Sequence, residues 1–137
     1  MLLLALCIIT ATAQQYSPVT LISGTTIAAQ ATSNYTHNIT LTKAQDVAFQ
    51  LSFQGAGAGT DNVTVTFKES VDGSTWSTTP TKTWVVAANG NTAVALTTNF
   101  TVNALGYLRV ASIANASASV AMTNLTVKYA IKPALLP

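Results

Sequence analysis

The sequence predicts an all-β domain, an antiparallel β-sandwich or jelly roll of about eight to ten short strands. From Val19 onward, apolar residues recur mainly at every second position, and no stretch keeps the spacing of a helix. Two Gly-containing turn pairs lie between such stretches. Charged residues make up only 7% of the chain, so Thr, Ser and Asn supply the polar faces of the predicted strands.

The alternation is clearest in residues 62–68. Val63, Val65 and Phe67 are predicted to face the core, while the two Thr and the Lys that alternate with them face solvent. Residues 39–41, 47–53 and 125–131 repeat this pattern, and the other strands are less regular. In chain order, the predicted strands span residues 19–22, 27–30, 39–41, 47–53, 62–68, 82–87, 92–96, 107–113, 119–122 and 125–131.

Two dipeptides predict tight hairpin turns. Asn89-Gly90 lies between the strands predicted at 82–87 and 92–96, and this pair favours a two-residue hairpin. Asp72-Gly73 is the second such pair. Proline at positions 133 and 137 predicts an extended C-terminal tail, 133–137, after a sandwich domain of residues 16–132.

Residues 1–15 form a separate apolar N-terminal segment. Leu2, Leu3 and Leu4 begin an apolar run, and small residues up to Ala13 follow it, as in a secretory signal with an Ala-x-Ala cleavage site. No Lys or Arg precedes the run, which favours the alternative of a retained assembly arm. A retained arm needs a partner subunit or a lipid layer to cover its leucines. The run is shorter than the roughly 20 apolar residues that span a bilayer as a helix.

The charge distribution argues against a nucleic-acid partner. Six Lys and Arg residues are spread along the chain and leave a formal net charge of +2. Electrostatic binding of nucleic acid needs a basic stripe with interleaved aromatic residues, and the sequence has none. A neutral surface of hydroxyl and amide groups has little charge repulsion, so it tolerates close packing against copies of itself.

Few side chains in the sequence could support catalysis or hold a cofactor. His37 with Asp46 or Asp61 is the only candidate acid–base pair, and His37 has no acid nearby in sequence. We interpret His37 as a solvent-facing residue of a strand. Cys7 is the only cysteine, so neither an intrachain disulfide nor a cysteine-based metal site can form. We expect no catalytic residue, no metal site and no cofactor.

Asn-x-Ser/Thr sequons are more frequent than chance, which gives about two for this content of Asn, Ser and Thr. Glycosylation is one explanation. The other is structural, because an apolar middle residue in four of the sequons is what a strand with an Asn/Thr outer face produces. We favour the structural explanation, since the alternation continues beyond the sequons. The sequons begin at Asn34, Asn38, Asn62, Asn99, Asn115 and Asn124.

Trp76, Tyr107 and Arg109 are the candidate contacts to a partner or ligand. Exposed Trp and Tyr side chains anchor interfaces or stack on sugar rings, and Arg is their common polar partner. Trp84 precedes two valines in a predicted strand, which favours a place in the core. Trp76 follows the Asp72-Gly73 turn, and its position leaves core and surface equally open.

Two short motifs carry a resemblance to known families. The pattern S-x-D-G-x-x-W at residues 70–76, followed by Y-x-R-V at residues 107–110, is similar to one in β-sandwich modules of bacteriophage virion proteins. It resembles discoidin-like carbohydrate-binding modules more weakly. The resemblance implies a capsid decoration, head-fibre or tail accessory protein.

These observations predict a non-enzymatic structural protein of a virion or similar extracellular assembly, which decorates or cements a shell through symmetric contacts. Its expected partners are copies of itself and other structural subunits, with membrane contact only if residues 1–15 are retained as an anchor. The alternative is a secreted bacterial surface adhesion or carbohydrate-binding module, whose partner is a cell-surface glycan. The expected location is the virion, or the cell exterior for the alternative.

Overall fold

A computed structural model describes residues 17–41, 44–57, 61–88, 93–101 and 106–133. Nine strands and no helix occupy these ranges, so none of them holds a helix that could cross a membrane. The strands are β1 (Val19–Ile27), β2 (Thr32–Asn34), β3 (Asn38–Thr40), β4 (Ala44–Gly55), β5 (Asn62–Ser70), β6 (Lys82–Ala87), β7 (Val94–Thr101), β8 (Tyr107–Asn115) and β9 (Met122–Pro133).

The strands form two antiparallel sheets packed against each other, which confirms the predicted β-sandwich. One sheet has four strands in the order β1-β9-β4-β7. The other has five strands, with the order β2-β8-β5-β6 and with β3 also paired to β8. Because β2 and β3 pair with successive parts of β8, they share one edge of this sheet.

The core lies between the sheets and is built from the alternating strands. Val63, Val65 and Phe67 of β5 are buried, as predicted, and β4 shows the same alternation from Val47 to Phe53. Phe67 of β5 bridges the sheets, since its ring centroid lies 4.7 Å from that of Phe49 and 4.8 Å from that of Phe100. Such aromatic pairs add about 0.5–1.5 kcal/mol beyond the area they bury. This cluster fixes β5 over β4 and β7.

Several predicted strand bounds are wrong, although β6 matches residues 82–87. The strand predicted at 27–30 does not form, because β1 ends at Ile27 and the chain then turns through Gln30, whose φ is 53°. Residues 119–121 precede a single long strand, β9, which ends at Pro133 and so takes this residue out of the predicted tail. β7 lies at Val94–Thr101 rather than at 92–96, and the three-residue β2 was not predicted.

The hairpin predicted at Asn89-Gly90 is wrong in its pairing. These two residues lie outside the described residues, but the strands on either side of them belong to different sheets. β6 pairs with β5, and β7 pairs with β4. β6 and β7 therefore belong to different sheets and do not form a hairpin with each other.

The buried side chain of Asn115 joins the two sheets at one end of the sandwich. Asn115 ends β8 and is only 1% exposed. Its Nδ2 donates to the carbonyl oxygens of Ile27 at 3.4 Å, Ala28 at 3.2 Å and Val120 at 2.9 Å, which flank β1 and β9 of the other sheet. Its Oδ1 accepts from the backbone N–H of Ser117 at 3.1 Å. Both ends of the carboxamide are thus satisfied inside the protein.

This burial separates Asn115 from the other sequon asparagines. Its nitrogen is occupied and inaccessible in the folded protein, so this sequon is neither an accessible glycosylation site nor part of an outward-facing Asn/Thr strand face. The others are exposed and leave room for glycosylation; they are Asn34, Asn38, Asn62, Asn99 and Asn124.

Replacement of Asn115 by Ala is expected to destabilise the fold, because buried backbone groups lose their partner. Each buried polar group left without a hydrogen bond costs about 1–3 kcal/mol. Urea unfolding measures the loss as a lower free energy of unfolding. The control Asn62→Ala changes an exposed sequon asparagine and should cost less than about 0.5 kcal/mol. Equal losses in the two variants would contradict the bridging role of Asn115.

Candidate functional site

The structure brings Trp76, Tyr107 and Arg109 together at one end of the five-stranded sheet. Tyr107 and Arg109 lie on β8, where they pair with Ser70 and Lys68 of β5. Trp76 comes from the loop of residues 71–81, which joins β5 to β6. These three residues and Lys68 are called the aromatic–cation cluster below.

The loop begins with a turn that the side chains of Ser70 and Asp72 build. Ser70 Oγ accepts from the backbone N–H of Gly73 at 2.9 Å and donates to Asp72 Oδ1 at 2.9 Å. Asp72 Oδ1 also accepts from the backbone N–H groups of Ser74 at 2.8 Å and Thr75 at 2.7 Å. The Asp72-Gly73 turn is therefore present, but it opens a long loop instead of closing a two-residue hairpin.

Tyr107 packs against this turn. A Cβ atom added to Gly73 would lie 3.1 Å from Cε2 of the Tyr107 ring, and Gly73 has a φ of 74°. Glycine suits this position for both reasons, since other residues rarely adopt that φ and carry a Cβ that would press on the ring. The Tyr107 ring therefore packs against the backbone of the Asp72-Gly73 turn.

Arg109 and Lys68 hold the rest of the loop against the sheet. The guanidinium carbon of Arg109 lies 4.2 Å from the centroid of the Trp76 ring, a cation–π contact. Lys68 Nζ donates to the carbonyl oxygen of Thr78 at 3.0 Å. A backbone bond from Ser77 N to Glu69 O at 3.1 Å adds to these contacts. These contacts fix the loop of residues 71–81, which carries Trp76, against the sheet.

A cleft of about 410 Å³ lies beside the cluster on the outer face of the sheet. It forms where β8 bulges, because Thr66 pairs with Ser112 but the next residue, Phe67, pairs with Val110. The bulged residue, Ala111, accepts a hydrogen bond from the backbone N–H of Tyr35 at 3.0 Å. We call this the cationic cleft; it is lined by Asn34, Tyr35, Thr36, Thr66, Lys68, Thr78, Pro80, Arg109, Ala111 and Ser112.

The other residues singled out from the sequence lie apart from this cluster. Trp84 is half-buried and packs against the core, as predicted. His37 is exposed just before β3, while Asp46 lies in the other sheet, where its carboxylate accepts from the Thr101 hydroxyl at 3.0 Å. Leu2, Leu3 and Leu4 lie outside the described residues. Within the described ranges, no three His, Cys, Asp or Glu side chains are grouped as a metal site would require.

Sequence reasoning missed Lys68 as a member of the cluster. Its alternation places it on the solvent face of β5, but its position opposite Arg109 depends on the pairing of β5 with β8. Nothing in the local sequence specifies that register.

The chain matches no protein-family model, and a search of curated proteins finds no significant match. Function is therefore inferred from the sandwich, its edges and the aromatic–cation cluster.

The Asp72 carboxyl group is expected to titrate below the ordinary range for Asp. Hydrogen bonds from the backbone N–H groups of Thr75 and Ser74 and from the Ser70 hydroxyl favour its charged form and lower its pKa. Its contribution to stability is complete above the unfolded pKa of about 3.9 and is lost as the pH falls below that value toward the folded pKa.

An NMR titration of the Asp72 carboxyl carbon measures this pKa. Ser70→Ala should raise the midpoint, because one hydrogen bond to the carboxylate is removed. Ser74→Ala is the matched control, since Ser74 contributes only its backbone N–H, and it should leave the midpoint in place. A wild-type midpoint near 3.9 would show that the turn does not stabilise the charge.

Proposed function

We propose that this domain is a non-enzymatic structural protein of a virion or similar extracellular assembly, which decorates or cements a shell through symmetric protein contacts. The observation that carries the proposal is the exposed edge of β7. The virion setting is supported by the resemblance of residues 70–76 and 107–110 to modules of bacteriophage virion proteins.

β7 is a long, regular edge strand without the usual protection. It pairs with β4 without a register shift from Val94, opposite Phe53, to Thr101, opposite Asp46, and no described strand pairs with its other side. Its sequence, VALTTNFT, contains neither charge nor proline. Soluble monomers blunt their edge strands with charges, prolines, bulges or short length. β7 has none of these devices, so it is suited to pairing with another strand.

The other edges of the sandwich are better protected. β1 has three register shifts along its pairing with β9. β2 and β3 have three residues each, and β6 is shorter than β7 and begins with Lys82. Three of the four edges formed by the described strands are therefore protected, and β7 is the edge at which a sheet can be extended.

A second copy of the chain is the partner that β7 fits. Antiparallel pairing of two β7 strands about a twofold axis at Thr97 places Val94 opposite Phe100 and Leu96 opposite Thr98. These four side chains share the core-facing side of the strand, since their partners on β4 are buried. Leu96 is 42% exposed in the single domain and is covered by such pairing. The uncharged strand meets its copy without repulsion, and a twofold contact of this kind is self-complementary.

Sedimentation velocity over a range of concentrations tests this function. We expect the wild-type protein to self-associate and Thr97→Lys to raise the dissociation constant about ten-fold or more, because paired edges would bring two lysines together. Thr83→Lys on β6 is the matched control, as it places the same charge on the exposed edge of the other sheet. It should associate like the wild type.

A wild-type protein that stays monomeric at high concentration would overturn the β7 proposal. Equal weakening by Thr97→Lys and Thr83→Lys would overturn it too, since association would then follow overall charge. Circular dichroism and thermal unfolding check that each variant is folded.

A second candidate function is a secreted surface adhesion or carbohydrate-binding module. The observation that favours it is the meeting of Trp76, Tyr107 and Arg109 on one surface. Aromatic rings beside a cationic side chain are suited to holding a ligand, and the cluster lies on the five-stranded sheet, away from β7. Binding at the cluster and assembly through β7 can therefore coexist in one domain.

A further inference from the structure

We propose that the cationic cleft binds an acidic saccharide, with a carboxylate or sulfate group of the sugar between Lys68 and Arg109. This inference rests on the second candidate function, glycan binding, and is independent of assembly through β7. It adds the charge of the ligand and the side chains that recognise it.

The first argument is the pairing of two like charges. Lys68 and Arg109 are directly opposite in the antiparallel pair of β5 and β8, where Cβ atoms are about 4.5–5.5 Å apart. Like charges in such positions repel each other. The chain has only six Lys and Arg residues in all, so this pair concentrates a third of them at one point. An anion bound between them removes the repulsion.

The second argument is the unused hydrogen-bonding capacity of the two cations. Within the described ranges neither forms an ion pair, and the guanidinium donates no hydrogen bond; Arg109 Nε is shielded from solvent without a partner. The Lys68 ammonium group has three donors and uses one of them, toward Thr78. Arg provides a planar fork that matches the two oxygens of a carboxylate or sulfate. The Lys68 ammonium group and the Nη groups of Arg109, unlike the shielded Nε, are available to an oxyanion.

The third argument is the neutral polar lining of the cleft, which favours a sugar over a bare ion. Thr36, Thr66, Thr78 and Ser112 supply hydroxyl groups, and Asn34 supplies an amide. In the described part of the chain these hydroxyls form one hydrogen bond among themselves, between Thr66 and Ser112 at 2.7 Å. Hydroxyl and amide groups both donate and accept, as sugar hydroxyls require.

A neighbouring cleft extends the site toward Trp76. It measures about 430 Å³, shares Thr78 with the cationic cleft, and is lined by Trp76 and Glu69 among others. An aromatic ring offers a flat apolar surface to a sugar ring, while the Glu69 carboxylate disfavours a second negative charge there. The two clefts together fit an acidic sugar unit linked to a neutral one.

Isothermal titration with three disaccharides tests the inference. The probes are galacturonic acid linked to galactose, galactose 6-sulfate linked to galactose, and uncharged galactosyl-galactose. We expect at least one acidic probe to bind about ten-fold or more tightly than the neutral probe. Its affinity should fall as salt is raised from about 0.05 to 0.5 M, because added salt screens the charge interaction.

Variants of the cleft identify the side chains responsible. Lys68→Gln should weaken binding of the acidic probe about ten-fold and weaken binding of the neutral probe much less, because only the acidic probe loses a charge contact. Lys128→Gln is the matched control, because it removes the same charge from the four-stranded sheet. Arg109→Lys keeps the charge but loses the planar fork, so it should also weaken acidic binding.

Equal affinity of the Lys68→Gln and Lys128→Gln variants for the acidic probe would overturn the inference. Equal affinity of the wild-type protein for acidic and neutral probes would overturn it as well, while leaving glycan binding in place. Absence of binding to all three probes would overturn both this inference and the second candidate function. The folded state of each variant is checked by its thermal unfolding transition.

Discussion

The arrangement of the two sheets depends on the hydrogen bonds that the buried carboxamide of Asn115 forms. This carboxamide lies at the last residue of β8 and reaches backbone groups beside β1 and β9, so one side chain spans the layer between the sheets. Apolar packing is tolerant of small slips, whereas a buried amide must meet its partners in one geometry. Asn115 therefore selects one relative placement of sheets that hydrophobic burial alone leaves less defined.

Contacts between aromatic rings in the core join the same two sheets at a second place. Phe67 touches Phe49 and Phe100 in the core, so the sandwich is fixed both by a polar contact and by a cluster of rings. Both contacts lie inside the sandwich, so the outer faces are not needed to join the two sheets. This explains how a chain with 7% charged residues can present Thr-rich faces and still place two cations side by side on one of them.

The sequence was informative where structure follows from local pattern. Alternation predicted β4 and β5 because each of these strands has one buried and one outward face. It failed where the outcome depends on distant residues. The Asn89-Gly90 pair predicted a hairpin between β6 and β7. Instead, β6 pairs with β5 and β7 pairs with β4, so pairing with other strands determines the sheet to which each belongs. For the site, residue types identified Trp76, Tyr107 and Arg109, while the place of Lys68 followed only from the register between β5 and β8.

The position of β9 has a consequence for how the protein is made. β9 is the last of the described strands in sequence, yet it lies inside the four-stranded sheet, between β1 and β4. Neither of these strands can complete its pairing until β9 has left the ribosome. Until then, the edge of β4 that β9 covers has no partner, and unpaired strand edges associate wrongly. A chain with few charges has little repulsion to prevent this, so its folding is expected to depend on rapid pairing once β9 has been synthesised, or on a chaperone.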